Sequence, residues 1–129
     1  METNGLGRVF EDGQIIIQQG ELGDCMYVVQ AGLVEVIVTQ DGSERIMAIL
    51  GQGEFFGEMA LFDRAVRMAT VRALGEARVL TVDKRNLMRR IHEDPSLVYR
   101  MLLEMSQRIR DLSAEVSRLD QELTRQFGG

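Results

Sequence analysis

Glycine punctuates the first two thirds of this chain. From Gly13 the glycines recur at intervals of about ten residues or less, with a pause between Gly57 and Gly75, and the segments between them are rich in Val, Ile, Leu, Met, Phe and Tyr. Short apolar segments with regular turn signals predict a β-sandwich or barrel. "QIIIQQ" ends at Gly20, "CMYVVQA" ends at Gly32, and "LVEVIVT" alternates before "QDGS". The Asp41-Gly42 pair predicts a hairpin, because both residues tolerate positive φ, and "RIMAIL" reads as the returning strand. After "LGQGEFFGE" the pattern pauses, then resumes with "ATVRAL" and "ARVLTVD".

The last third has a different period. The only proline, Pro95, follows a short helical stretch, "KRNLMRRIHE", and suits the first turn of a new helix opening at Asp94. From Ser96 to about Gln126 nothing interrupts a helix before the two terminal glycines. Leu102, Met105, Ile109, Leu112, Val116, Leu119 and Leu123 alternate three and four apart along it, an a/d seam. Beyond Ser113 the other faces are charged, so the seam predicts pairing with the same helix of a second copy. The expected division is therefore residues 1–95 for the β-domain and residues 96–129 for the helix.

Composition narrows the functions. A chain of 129 residues, 45% of them hydrophobic, buries one real core. It opens with no targeting pattern and holds no apolar run long enough for a membrane span, so a cytoplasmic location is the default. One cysteine, Cys25, and one histidine, His92, exclude an internal disulfide and the usual metal centres. Cys25 is expected to be a packing residue and His92 to lie in a helix-end turn. The net charge of -5 disfavours a nucleic-acid-wrapping surface. A single nucleotide-sized anion is a different matter, since one Arg and a few backbone amides can hold one phosphate.

The stretch that breaks the strand pattern is "FGEMALFDRAVRMATV", Phe56 to Val71. If the chain leaves a sheet at Phe56, turns at Gly57 and makes a helical turn through "EMALF", the amides at the start of that turn form an anion site. Glu58 cannot bind a phosphate but can accept hydrogen bonds from a sugar hydroxyl. Arg67 supplies the forked donors that suit a phosphate, and "ATV" leads back into a strand. The competing reading is an ion pair on a surface turn, worth about 0 to 1 kcal/mol.

These residues resemble the phosphate-binding cassette of the cyclic nucleotide-binding domain family, shared by catabolite activator-type regulators, kinase regulatory subunits and nucleotide-gated channels. The cassette pattern F-G-E-x-A-L, a short stretch, then R-x-A-T-V stands here as Phe56-Gly57-Glu58-Met59-Ala60-Leu61 and Arg67-Met68-Ala69-Thr70-Val71. Upstream, "QQGELGDCMYVVQAGLVEV" resembles the family's Q-G-E-x-G-D, Y-x-V and G-x-V-x-V signature. The resemblance runs from about Phe10 to Val116.

It implies a mainly β fold, a double-stranded β-helix or jelly roll with flanking α-helices and a long C-terminal dimerisation helix. By the same resemblance Glu58 would bind the ribose 2'-hydroxyl and Arg67 the cyclic phosphate. Gly57, Met59 and Ala60 would lend backbone contacts, Met68 and Ala69 would line the phosphate and base, and Val36 and Met47 would form an apolar wall. The helix resembles the family's lid and dimer helix, where alignment from Pro95 puts Leu112 over the base and Ser113 toward the partner's ligand. A Thr after the cassette Arg favours guanine in the family. Met68 stands there, so the ligand expected is cAMP, with cGMP as the alternative. No cofactor, metal, membrane or nucleic-acid partner is expected, and no DNA-reading helix pair follows the dimer helix. The reading is a regulatory sensor, not an enzyme, whose ligand shifts the helix arrangement in a homodimer. The rivals are a dimerisation module with a vestigial or different anion pocket, and a small hydrolase, for which no metal cluster or activated nucleophile is visible.

Overall fold

The computed structural model describes residues 7–62 and 65–127. The chain divides between Met88 and Arg89 into two compact units. The first is a β-structure. Its strands are β1 (Arg8–Phe10), β2 (Ile15–Ile17), β3 (Leu22–Gly23), β4 (Met26–Gln40), β5 (Ser43–Leu50), β6 (Phe55–Phe56), β7 (Ala65–Val66) and β8 (Thr70–Val82), with a one-turn helix α1 (Met59–Phe62) between β6 and β7. The antiparallel main sheet runs β1-β8-β4-β5, with β2 also on β8 and β6 also on β4, while β3 and β7 make a separate two-stranded sheet.

Alternation along β4 and β8 sets the core. Val29, Val34, Val71, Ala73, Ala77 and Val79 are buried with Phe10, Ile17, Leu50 and Phe56 in one cluster. This is the mainly β fold with flanking helices and a long C-terminal helix that the sequence implied.

The predicted hairpin forms at Asp41-Gly42. Both residues have positive φ, 54° and 78°, and Gln40 pairs with Ser43 across a two-residue turn whose twist matches that of the strands. The sequence pattern misplaced two other glycines. "CMYVVQA" and "LVEVIVT" are halves of one strand, β4, and "ATVRAL" and "ARVLTVD" are halves of β8. Gly32 and Gly75 sit inside these strands at a change of register: from Ala31 to Leu33 β4 advances two residues while its partner β8 goes from Arg78 to Leu74. Gly32 has φ 81°, and a Cβ there would lie 2.3 Å from the Glu76 carbonyl oxygen, so its glycine serves a close strand crossing and not a chain reversal.

A second irregularity lies between β4 and β5. Val36 faces Ala48 and Ile37 faces Ile46, which leaves Met47 as the extra, unpaired residue of a bulge.

Helix α2 (Lys84–Glu93) follows β8 directly. The Asp83 carboxylate accepts from the Asn86 amide at 2.8 Å, an N-cap. The second unit holds the end of α2 and the helix α3 (Ser96–Phe127). Asp94 caps α3: its Oδ1 accepts from the Ser96 amide at 3.2 Å and the Ser96 hydroxyl at 2.6 Å, and Pro95 occupies the position where no amide hydrogen is needed. The Ser96 hydrogen bonds, then Arg100, hold the Asp94 carboxyl below the usual carboxylate range. Arg118 bridges Glu115 and Glu122 on the surface of α3. Leu102, Ile109, Leu112, Val116, Leu119 and Leu123 are each 46 to 64% exposed, so a single chain leaves this stripe largely open. No described helix is long and apolar enough to cross a membrane.

Candidate functional site

The cassette begins in the core. Phe55 and Phe56 are both 4% exposed and pair with Val28 and Tyr27 of β4. The Tyr27 ring stacks on Phe56 with centroids 5.2 Å apart and planes 14° from parallel. Gly57 then turns the chain with φ 78°, and α1 starts. Its first turn is closed by the Leu61 amide donating to the Glu58 carbonyl at 3.1 Å, and Ala60 and Leu61 anchor the turn inward. Glu58 is half-buried at its start.

Arg67 is fixed by its backbone first. Its amide donates to the Glu21 carbonyl at 2.7 Å and its carbonyl accepts from the Gly20 amide at 2.9 Å, next to the β3-β7 pairing. Thr70, also buried, ties the same turn to β8, since its hydroxyl oxygen accepts from the Gln19 amide at 2.9 Å. The cassette is thus clamped against the segment Gln18 to Gly23.

The Arg67 side chain is buried, with the residue 7% exposed. A buried guanidinium must spend its donors on acceptors, and here Nη1 donates to the Gly57 carbonyl at 3.0 Å and Nη2 to the Cys25 carbonyl at 2.9 Å. Its Cζ also lies 5.6 Å from the Tyr27 ring centroid, a cation-π contact. Burial pushes the Tyr27 phenol up to about 12, and the neighbouring Cys25 adds to this against the lowering effect of Arg67. Tyr27, neutral at ordinary pH as any phenol is, offers Arg67 a ring face.

The structure brings Gly57, Glu58, Ala60 and Arg67 into one corner of the β-unit, where Met59 begins α1. Met68 projects from the loop after β7 and is 81% exposed, and Ala69 beside it is half-buried. Val36 is half-buried on β4, and Met47 is 56% exposed at its bulge. Leu112 and Ser113 are exposed residues of α3 in the second unit.

Cys25, expected as a packing residue, is half-buried with its Sγ 3.8 Å from Arg67 Nη2. His92 lies in the last turn of α2, as the sequence suggested. Sequence reasoning assigned no site role to Gly23, Cys25 or Tyr27, although all three surround Arg67. They belong to the quoted "GELGDCMYVV" segment, but nothing in local spacing announces a contact with a residue 42 positions away. Among the described residues no cluster of three potential metal ligands occurs.

Residues 7–94 match the cyclic nucleotide-binding domain. The chain is 32% identical over 119 residues to the cyclic AMP receptor protein of Thermus thermophilus, across 92% of this chain and 55% of that protein. It is 38% identical over 80 residues to a cAMP-dependent protein kinase regulatory subunit of Mucor circinelloides, across 62% of this chain and 19% of that one. The crystal structure of the Thermus catabolite activator protein superposes with a TM-score of 0.79 over 92% of this chain and 56% of its own. A cAMP-bound structure of the EAL enzyme Bd1971 matches at a TM-score of 0.61 and 33% identity over 92% of this chain and 32% of its own, and a cGMP-bound structure of the same enzyme matches at 0.61 and 34% over 95% and 34%. The chain thus spans about half the length of the Thermus relative and about a fifth of the kinase subunit.

Proposed function

This chain belongs to the cyclic nucleotide-binding domain family, and from that premise we propose that it is a cAMP sensor whose cassette residues grip the nucleotide directly. Cyclic nucleotide binding in a regulatory domain is common to the family. The roles carried over from the family resemblance are that Arg67 pairs with the cyclic phosphate, Glu58 accepts from the ribose 2'-hydroxyl, and Gly57, Met59 and Ala60 contribute backbone contacts.

The observation that carries this reading is the state of Arg67. A surface ion pair would leave a flexible guanidinium in water. Here it is buried, and two main-chain carbonyls and a ring face hold it beside the start of α1. A guanidinium has five N–H donors, more than these two carbonyls use, so it can take an anion without being released from its clamp. That is preorganisation, which reduces the entropy lost on binding.

For the base, Met68 carries no hydroxyl with which to satisfy guanine, which favours adenine. Val36 and Met47 would supply apolar contact, with Met68 and Ala69 on the other side, Leu112 over the base and Ser113 toward a partner's ligand. Residues 96–129 would serve as the dimer helix, and ligand affinity that differs between two helix arrangements would make the domain a switch. We assign no catalytic role, no cofactor and no nucleic-acid contact to these residues.

Calorimetric titration of nucleotide-stripped protein with cAMP and with cGMP tests the reading, with Arg67→Ala alongside. We expect cAMP to bind more tightly than cGMP, and Arg67→Ala to weaken cAMP by about tenfold to a hundredfold, the loss of charge-assisted hydrogen bonds. Preference for cGMP would overturn the base assignment alone. Unchanged affinity in Arg67→Ala would overturn the site. Binding of neither nucleotide would leave a dimerisation module with a vestigial pocket.

A further inference from the structure

The space that Arg67 occupies is made by absent side chains. A Cβ built on Gly23 would lie 2.2 Å from Arg67 Nε, 2.3 Å from Cζ and 2.6 Å from Nη2, and one on Gly57 would lie 2.6 Å from Nη1. The Gly23 position meets the Nε, Cζ and Nη2 side of the guanidinium and the Gly57 position meets Nη1. They differ in kind, however. Gly57 has φ 78°, so any side chain there strains the turn whatever the space around it. Gly23 is buried, and its backbone does not lie in the left-handed region. Alanine at residue 23 therefore meets no conformational objection, and all three nearest obstacles belong to the Arg67 guanidinium.

We propose that Gly23 is a positioning residue for ligand binding: its missing Cβ is the slot that seats the Arg67 guanidinium. The inference rests on the reading that Arg67 holds the cyclic phosphate, and adds what keeps it there. With alanine at residue 23, the cheapest relief is to swing the far end of a flexible side chain, since the alternative is to move a strand of the β3-β7 sheet. Once displaced, the guanidinium loses the geometry set by the Cys25 and Gly57 carbonyls. The fold survives and the phosphate contact does not.

The test is a double-mutant cycle on the whole chain, with Gly23→Ala, Arg67→Ala and the pair titrated with cAMP beside thermal unfolding. Gly23→Ala is expected to weaken binding by about tenfold or more, the worth of a hydrogen bond to a charged group, while the unfolding midpoint stays near that of the parent. In the Arg67→Ala background the same change is expected to have no further effect on affinity, a result that a merely structural role for Gly23 would not give. Affinity within about twofold of the parent, or an equal loss in both backgrounds, overturns the proposal. Hydrogen exchange at Arg67 Nε, followed by NMR and assigned with Arg67→Lys, supplies a readout that needs no ligand. Slow exchange in the parent and fast exchange in Gly23→Ala support the slot, and equal rates reject it. If the parent binds no cyclic nucleotide yet the exchange rates differ, the positioning stands and the proposed function fails.

Discussion

At the scale of single residues, the corner around Arg67 meets one physical demand, that of burying a cation. Arg67 meets it with two carbonyls and the face of the Tyr27 ring. Burial, reinforced by Cys25, moves the phenol from 10.0 to about 12. Below pH 10 the phenol is protonated in the folded and unfolded chains alike. Between pH 10 and 12 the unfolded chain loses this proton while the folded chain keeps it, so stability falls across that window and levels off above it. Tyr27→Phe retains the stack on Phe56 and has no proton to lose. Urea unfolding at pH 9 and pH 11 is therefore expected to show a larger fall in midpoint for the parent than for Tyr27→Phe, and equal falls would refute the shift. The cassette pattern that contains Glu58 and Arg67 was legible in the sequence and pointed to the family. The residues that hold Arg67 were not, because a carbonyl or a missing Cβ contributed from a strand far back in the chain leaves no mark on local spacing.

Elements show a similar division. The hairpin at Asp41-Gly42 was readable because two residues with positive φ are a local demand met by local chemistry. Nothing lies within 4 Å of a Cβ added at Gly42, so Gly42→Ala is expected to cost about 1 kcal/mol of folding stability through backbone strain alone. Chemical denaturation should report that loss, with cAMP affinity unchanged. The start of α3 was equally readable, since Asp94, Pro95 and Ser96 complete a cap within three residues. Gly32 and Gly75 were read as ends of strands because glycine marks a turn and a change of register within a strand pair with the same letter. Only the pairing of β4 with β8 separates the two cases.

Taken as a whole molecule, the chain contains a β-unit with a buried core and a helix whose apolar seam is mostly exposed. An apolar stripe of this length in water favours a partner, and a seam of a and d positions suits a second copy. We expect sedimentation to report a dimer for the parent, and a shift toward monomer when Leu119 and Leu123 are both changed to Asp. Both residues belong to the described stripe and neither belongs to the cassette, so the titration with cAMP should show whether dimer and ligand are coupled. A parent that sediments as a monomer would refute the seam reading.

The sequence by itself determined the alternating strands, the hairpin, the helix and its cap and, through the cassette pattern, the family, because each is written in residues close together along the chain. Tertiary structure alone decided that Gly32 and Gly75 lie within strands, that Met47 is a bulge, and that Arg67 is buried against Cys25, Tyr27 and Gly23. Those outcomes depend on register between segments dozens of residues apart. Register is a property of which backbone hydrogen bonds and which buried faces can be satisfied together, and no single segment carries that information.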